Sequence, residues 1–166
     1  CPPTLAEQIA LMKINVSYEP GPRLNHDPKF LSSEVVEKSL LLFFNQEEYV
    51  VARRYLKGLT DDGYEYSNLL ALVITLGKLG SKIVTRDDGN SFCTVSIPIA
   101  RRVDNVVDYT GAGDNYKAGF LTAFIRGRSL EDCALVGTEM AFASINQKGG
   151  ILTEEVVNKL KEKYGL

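Results

Sequence analysis

The chain is poor in histidine and cysteine and has no long apolar run, and each shortage removes a class of function. Its one histidine, His26, lies in a stretch rich in Pro, Asn and Asp. A Ser-His-Asp or Cys-His nucleophile would therefore hang on a single loop residue. The three cysteines, Cys1, Cys93 and Cys133, are odd in number and far apart. They offer neither metal-ligand spacing nor a disulfide framework, and a reducing cytoplasm is the expected setting. No run of about 18 apolar residues occurs, so no segment reads as a membrane-spanning helix. The 19 Lys and Arg nearly balance the 21 Asp and Glu. No block of one sign forms, and the basic stripe of a nucleic-acid binder is missing. No G-x-x-x-x-G-K-[ST] occurs, which excludes a Walker-type phosphate loop. The chain starts at Cys1-Pro2-Pro3, without Met and without a basic-then-apolar leader. It reads as beginning within a longer protein and carrying no signal peptide.

What is present fits one globular domain over residues 1–166. Apolar residues make up 45% and charged residues 24%, ordinary proportions for a packed domain of this size. Helices are expected at 4–12, 32–37, 46–56, 114–126, 130–145 and 153–164, from apolar spacing and from caps such as Asn45 and Thr153. Strands are expected at 14–18, 40–44, 69–76, 82–86 and 91–97. The runs LLLFF and LLALVITL are nearly continuous in apolar residues, as strands covered on both faces are. Asp87-Asp88-Gly89-Asn90 supplies a turn between the last two strands, so these form a hairpin. Strands alternating with helices give an α/β fold in three layers (αβα), with a mainly parallel sheet and one antiparallel hairpin.

The chemistry gathers at residues 108–120, DYTGAGDNYKAGF. Gly111, Ala112 and Gly113 sit where a helix begins. The first amides of a helix have no internal partner and carry the positive end of its dipole. Residues this small let an anion approach those amides closely, and phosphate is the usual guest. Asp114 follows in the first turn. Two readings stand for it on these grounds. A carboxylate there stabilises the helix dipole, or it accepts the proton of a hydroxyl that is being phosphorylated.

Asp108, Thr110, Gly111, Ala112, Gly113 and Asp114 resemble the D-T-x-G-A-G-D-x-F signature of the ribokinase-like (PfkB) carbohydrate kinases. Tyr109 departs from the usual Thr, and Tyr116 stands for the usual Phe. The resemblance implies that Asp114 is the catalytic base and that Gly111, Ala112 and Gly113 form the anion hole. Other stretches resemble the family in the same order. Asn45-Gln46-Glu47-Glu48 is similar to N-x-x-E, which implies that Asn45 and Glu48 help organise Mg²⁺ and phosphates, partly through water; a helix cap and a first-turn acid are the alternative. Residues 75–80, TLGKLG, resemble T-x-G-x-x-G, which implies that Thr75, Gly77 and Gly80 lie near the nucleotide; a plain structural turn is the alternative. Residues 141–150, AFASINQKGG, resemble the helix and loop that wall an adenine pocket, with Ser144 and Asn146 as candidate contacts. Asp108 and Thr110 would lie near a monovalent cation such as K⁺. Residues 19–23, EPGPR, are similar to D-P-x-x-R and imply an arginine near phosphate; a surface salt bridge is the alternative. Lys117 has no family counterpart and reads as solvated.

The resemblance implies an ATP- and Mg²⁺-dependent phosphotransferase acting on a hydroxyl of a sugar or nucleoside. It covers nearly the whole chain but about half of a family member. The N-terminal half and its lid, which select the substrate, are expected to be absent. Such a half in cis, or a homodimer partner, would complete the site. The rival expectations are a catalytically incomplete nucleotide-binding fragment or regulatory module, and a structural domain that has lost its ligand.

Overall fold

The computed structural model describes residues 16–21, 24, 27, 31–60, 63–87, 89–99, 101 and 105–166. The helix expected at 4–12 and most of the loop at 19–29, Pro22 and Arg23 included, lie outside these. The chain divides into two compact units. One holds residues up to Leu76 together with Lys82–Val95, and the other holds Gly77–Ser81 and Ser96–Leu166.

The first unit is built on β1 (Val16–Tyr18), α1 (Ser33–Lys38), β2 (Ser39–Asn45), α2 (Gln46–Tyr55) and β3 (Ala71–Thr75), with most of β4 (Ser81–Arg86) and β5 (Phe92–Ile97). The five strands lie in the order β1-β2-β3-β4-β5. β1 pairs with β2 and β2 with β3, both in parallel. Helical crossovers such as α2 are what parallel neighbours require. The short connection at 87–91 is too tight for a crossover, so β4 and β5 run antiparallel. It is closed by Asp87 N–H donating to Ser91 O at 2.9 Å, with Asn90 at φ 63°. The sheet is therefore mixed, as expected. Leu42, Phe44, Leu72, Ile74 and Val84 are buried and pack with Val36 of α1 and Ala52 of α2 into the core. This burial explains why the apolar runs of β2 and β3 show no alternation.

The second unit contains a 3₁₀ turn (Gly77–Leu79), α3 (Ala112–Phe124), α4 (Leu130–Ile145), a second 3₁₀ turn (Lys148–Gly150) and α5 (Glu154–Tyr164). α3 begins at Ala112, two residues before the expected start, because Gly111 serves as its N-cap. α3 and α4 meet through small residues. A Cβ on Gly119 would stand 2.9 Å from the Val136 carbonyl, and one on Gly137 would stand 2.7 Å from the Tyr116 carbonyl. α5 is capped by Thr153, whose side chain accepts from Val156 N–H. Lys163 of α5 donates to Glu139 of α4 at 2.7 Å. Among the described residues no helix is long and apolar enough to cross a membrane.

The Gly137 contact is with backbone, which cannot move aside. Gly137→Ala should lower unfolding stability by about 1–3 kcal/mol through overpacking. Gly113→Ala, which meets nothing within 4 Å, should be neutral or slightly stabilising. Chemical denaturation of the two variants distinguishes these outcomes, and equal midpoints would contradict this account of the helix pair.

Candidate active site

In the second unit the site is built on the turn that opens α3. Gly111 takes the left-handed conformation, φ 73° and ψ 4°, and makes no side-chain cap bond. Only glycine adopts this geometry at little cost. Ala112 N–H donates to Tyr109 O at 3.2 Å, so this amide is engaged within the turn. Among the described residues, the amides of Gly111, Gly113 and Asp114 have no intrachain acceptor. Of the three hole residues expected from sequence, Gly111 and Gly113 thus keep open donors, and Asp114 adds a third.

Asp108 ties this turn to the loop that follows α4. Its Oδ1 accepts from Thr110 N–H and its Oδ2 from Gly149 N–H, both at 2.9 Å. The Thr110 hydroxyl, then the Thr110 and Gly149 amides, hold the Asp108 carboxyl below the usual carboxylate range. On the other side, the Asn115 side chain donates to Gly111 O at 2.9 Å and Gly150 O at 2.8 Å. A Cβ on Gly150 would collide with the Thr110 carbonyl. The two backbone segments are therefore in direct apposition.

Asp114 projects into solvent, with 81% of its side chain exposed. Lys117 donates to Asp114 Oδ1 at 2.9 Å, and only 17% of the Lys117 side chain is exposed. The expectation of a solvated Lys117 is corrected: i,i+3 spacing on a helix places it against Asp114. Two residues after Asp114, Tyr116 is buried and donates to Ser81 Oγ at 2.8 Å. That bond anchors the first turn of α3 to the start of β4. Burial pushes the Tyr116 hydroxyl up to about 12, against the ordinary 10.0.

In the first unit, Asn45 and Thr75 are register partners at the C-terminal ends of the parallel strands β2 and β3. Ligands of open α/β sheets bind at such strand ends. Asn45 and Glu48 form a reciprocal cap: Glu48 N–H donates to Asn45 Oδ1 at 2.8 Å, and Asn45 N–H donates to Glu48 Oε2 at 2.9 Å. Glu48 is only 2% exposed, so the sheet brings Asn45, Glu48 and Thr75 together but leaves the Glu48 carboxylate largely covered.

Gly77 and Gly80 fall in the second unit. Gly80 is fixed by packing, since a Cβ there would collide with the Ile97 carbonyl, while Gly77 faces open space. The Ser144 hydroxyl is turned inward: the residue is fully buried and donates to Ala141 O at 2.8 Å. Asn146 donates to Phe142 O at 2.6 Å. The Ser144 hydroxyl is thus engaged by its own helix, whereas Asn146 is exposed and uses its amide nitrogen for the Phe142 bond. A cavity of 610 Å³ in the first unit is lined by residues such as Tyr55, Lys57 and Tyr66, and by none of the expected site residues.

The pfkB family carbohydrate kinase pattern matches residues 21–156. The chain belongs to this family. It is 37% identical over 134 residues to a nucleoside kinase of Methanocaldococcus jannaschii, covering 81% of this chain and 42% of that protein. The crystal structure of the M. jannaschii nucleoside kinase, an archaeal ribokinase-family member, superposes with a TM-score of 0.71 at 34% identity, covering 89% of this chain and 48% of that one. Burkholderia thailandensis nucleoside kinase in complex with ADP-inosine matches at 25% identity with a TM-score of 0.73, covering 97% and 49%. The chain spans about half the length of these relatives.

In this pfkB family chain the fold is the ribokinase-like α/β fold expected from the sequence. Sequence reasoning missed Asn115. Its position one turn after Gly111 signals the contact to that carbonyl, but nothing local signals a contact 35 residues away.

Tyr116 gives a pH test. Its folded-state pKa is raised, so the unfolded chain releases this proton first. The stability contribution is complete below pH 10.0 and falls as pH rises through about 12. Tyr116→Phe should flatten this alkaline decline, at a neutral-pH cost of about 1 kcal/mol for the lost Ser81 bond. Denaturation midpoints between pH 8 and 12 provide the measurement, and an unchanged slope would contradict the assignment.

Proposed function

We propose that this chain is the nucleotide-binding, catalytic portion of an ATP-dependent kinase that phosphorylates a nucleoside or sugar hydroxyl. The observation that carries the reading is the helix start at 111–114, where three amides have no acceptor among the described residues and lie beside a solvent-facing carboxylate. Amides at a helix N-terminus stabilise the negative charge of a phosphoryl group in transfer. The amides of Gly111, Gly113 and Asp114 serve as those donors. Asp114 accepts the proton of the attacking hydroxyl as that oxygen bonds to the γ-phosphorus of ATP and the bond from this phosphorus to the β,γ-bridging oxygen breaks, releasing ADP. The Lys117 ion pair holds the carboxylate at the mouth of the turn until the hydroxyl arrives.

A nucleoside acceptor is favoured over a sugar by relatives named nucleoside kinase, one matched over 81% of this chain and one over 90%. Among the described residues no three His, Cys, Asp or Glu side chains gather around a metal position. Mg²⁺ in kinases keeps several waters and leans on the substrate phosphates, and a covered Glu48 with Asn45 fits such an outer role and not direct ligation. Mg²⁺, when bound, neutralises charge on the polyphosphate. The half-buried Asp108, whose carboxyl is held below the usual carboxylate range, and the nearby Thr110 fit a monovalent cation such as K⁺.

A second reading is nucleotide binding without turnover by these 166 residues tested alone, which match 42% of the M. jannaschii protein's length. Calorimetry with ATP and Mg²⁺, run beside a phosphorylation assay over several nucleosides and sugars, separates the two. Asp114→Asn should reduce turnover by on the order of 10²–10⁴-fold while ATP still binds. Near-normal turnover would remove Asp114 as the base; ATP binding with no turnover by the unmodified chain would favour the second reading.

A further inference from the structure

Asn115 is assigned no role by the family signature, yet its side chain connects two soft backbone segments. Gly111 is at φ 73°, and Gly149 and Gly150 are at 79° and 68°. Glycine backbone is the least restrained of any residue, so both segments need external fixing to keep a defined geometry. Asp108 supplies half of it by accepting from the Thr110 and Gly149 amides. Asn115 supplies the complementary half by donating to the Gly111 and Gly150 carbonyls. An Asn side-chain amide has two N–H donors, and here each faces one carbonyl.

We infer that Asn115 is a positioning residue that orients the phosphate-binding amides and locks them in register with the loop at 148–150. The link from side chain to site is peptide planarity. The Gly111 carbonyl shares its rigid plane with the Ala112 amide; it already accepts the helical bond from Asn115 N–H at 2.9 Å, and the Asn115 side chain adds a second restraint on the peptide from which Gly113 and Asp114 follow. The second donor carries the same restraint to Gly150, whose backbone abuts Thr110. A group bound at the turn and a group bound against the loop are thereby held at one separation. The functional half of this inference rests on the kinase reading, while the clamp itself does not.

The test uses three variants and two readouts. In the ligand-free chain, amide hydrogen exchange at Ala112 and Gly149 should quicken about tenfold or more in Asn115→Ala, the loss of two hydrogen bonds. Asn115→Asp keeps the volume but has no donors and faces two carbonyl oxygens. It should exchange at least as fast as Asn115→Ala, whereas a residue that merely packs would tolerate Asp well. Asn115→Ser retains a donor that reaches the i−4 carbonyl, so Ala112 should stay protected while Gly149 is released. The second readout is ATP affinity by calorimetry, which should fall about tenfold in Asn115→Ala and Asn115→Asp, in proportion to the loosening. Native exchange at Gly149 in Asn115→Ala or Asn115→Asp would overturn the clamp. Faster exchange with unchanged ATP affinity would overturn its role at the site. If the unmodified chain does not bind ATP, the kinase reading and the functional half fall together, and exchange alone still decides the clamp.

Discussion

The constraint on which the site depends is the close approach of two backbone segments, Thr110-Gly111 and Gly149-Gly150. No side chain fits between them, because a Cβ on Gly150 would occupy the space of the Thr110 carbonyl. Glycine is therefore required sterically at 150 and conformationally at 111, where φ is 73°. Such a junction lacks the usual means of rigidity, since glycine contributes no packing and restricts its own dihedrals least. Asp108 and Asn115 restore definition from outside, one by accepting from amides and the other by donating to carbonyls. The result is a helix start that is open to an anion and still geometrically defined.

That openness has an electrostatic meaning. A helix N-terminus gathers unpartnered N–H groups and a partial positive charge. Proteins usually satisfy these with a capping side chain, as Asn45 does for α2 and Thr153 for α5. α3 differs, because its N-cap is Gly111, which has no side chain to offer. The contrast within one chain marks α3 as the helix whose first amides are left for something else. Membership of a kinase family underlies the proposal that this something is a phosphate; Asp114 lies in the same turn, with the Lys117 ammonium 2.9 Å from its carboxylate.

Much of this was legible in the sequence, for physical reasons particular to each element. The runs at β2 and β3 were legible because double-sided burial leaves no polar residue to interrupt them. The caps at Asn45 and Thr153 were legible because capping uses a small set of side chains. Two residues of the turn were misjudged. Lys117 lacks a sequence signal for anything but solvent, yet its i,i+3 spacing from Asp114 draws it onto the helix surface. The sequence places Ala112 among the donors, but the turn bond to Tyr109 engages its amide. Asn115 was not seen at all, since its decisive partner is Gly150 and a contact across two helices leaves no periodic trace. The small size of Ser144 suits a site beside a base, but its burial directs the hydroxyl to Ala141, which local sequence does not signal. The division into two compact units also left no mark in composition.

The most direct measurement is a nuclear magnetic resonance titration of the ¹⁵N-labelled chain with ATP and Mg²⁺. The amide signals of Gly111, Gly113 and Asp114 should move first and furthest, with Gly149 and Gly150 following through the shared backbone contact. If those amides remain still at millimolar nucleotide while signals elsewhere shift, such as Lys57 and Tyr66 around the cavity of the first unit, the start of α3 is not the phosphate site and the account fails.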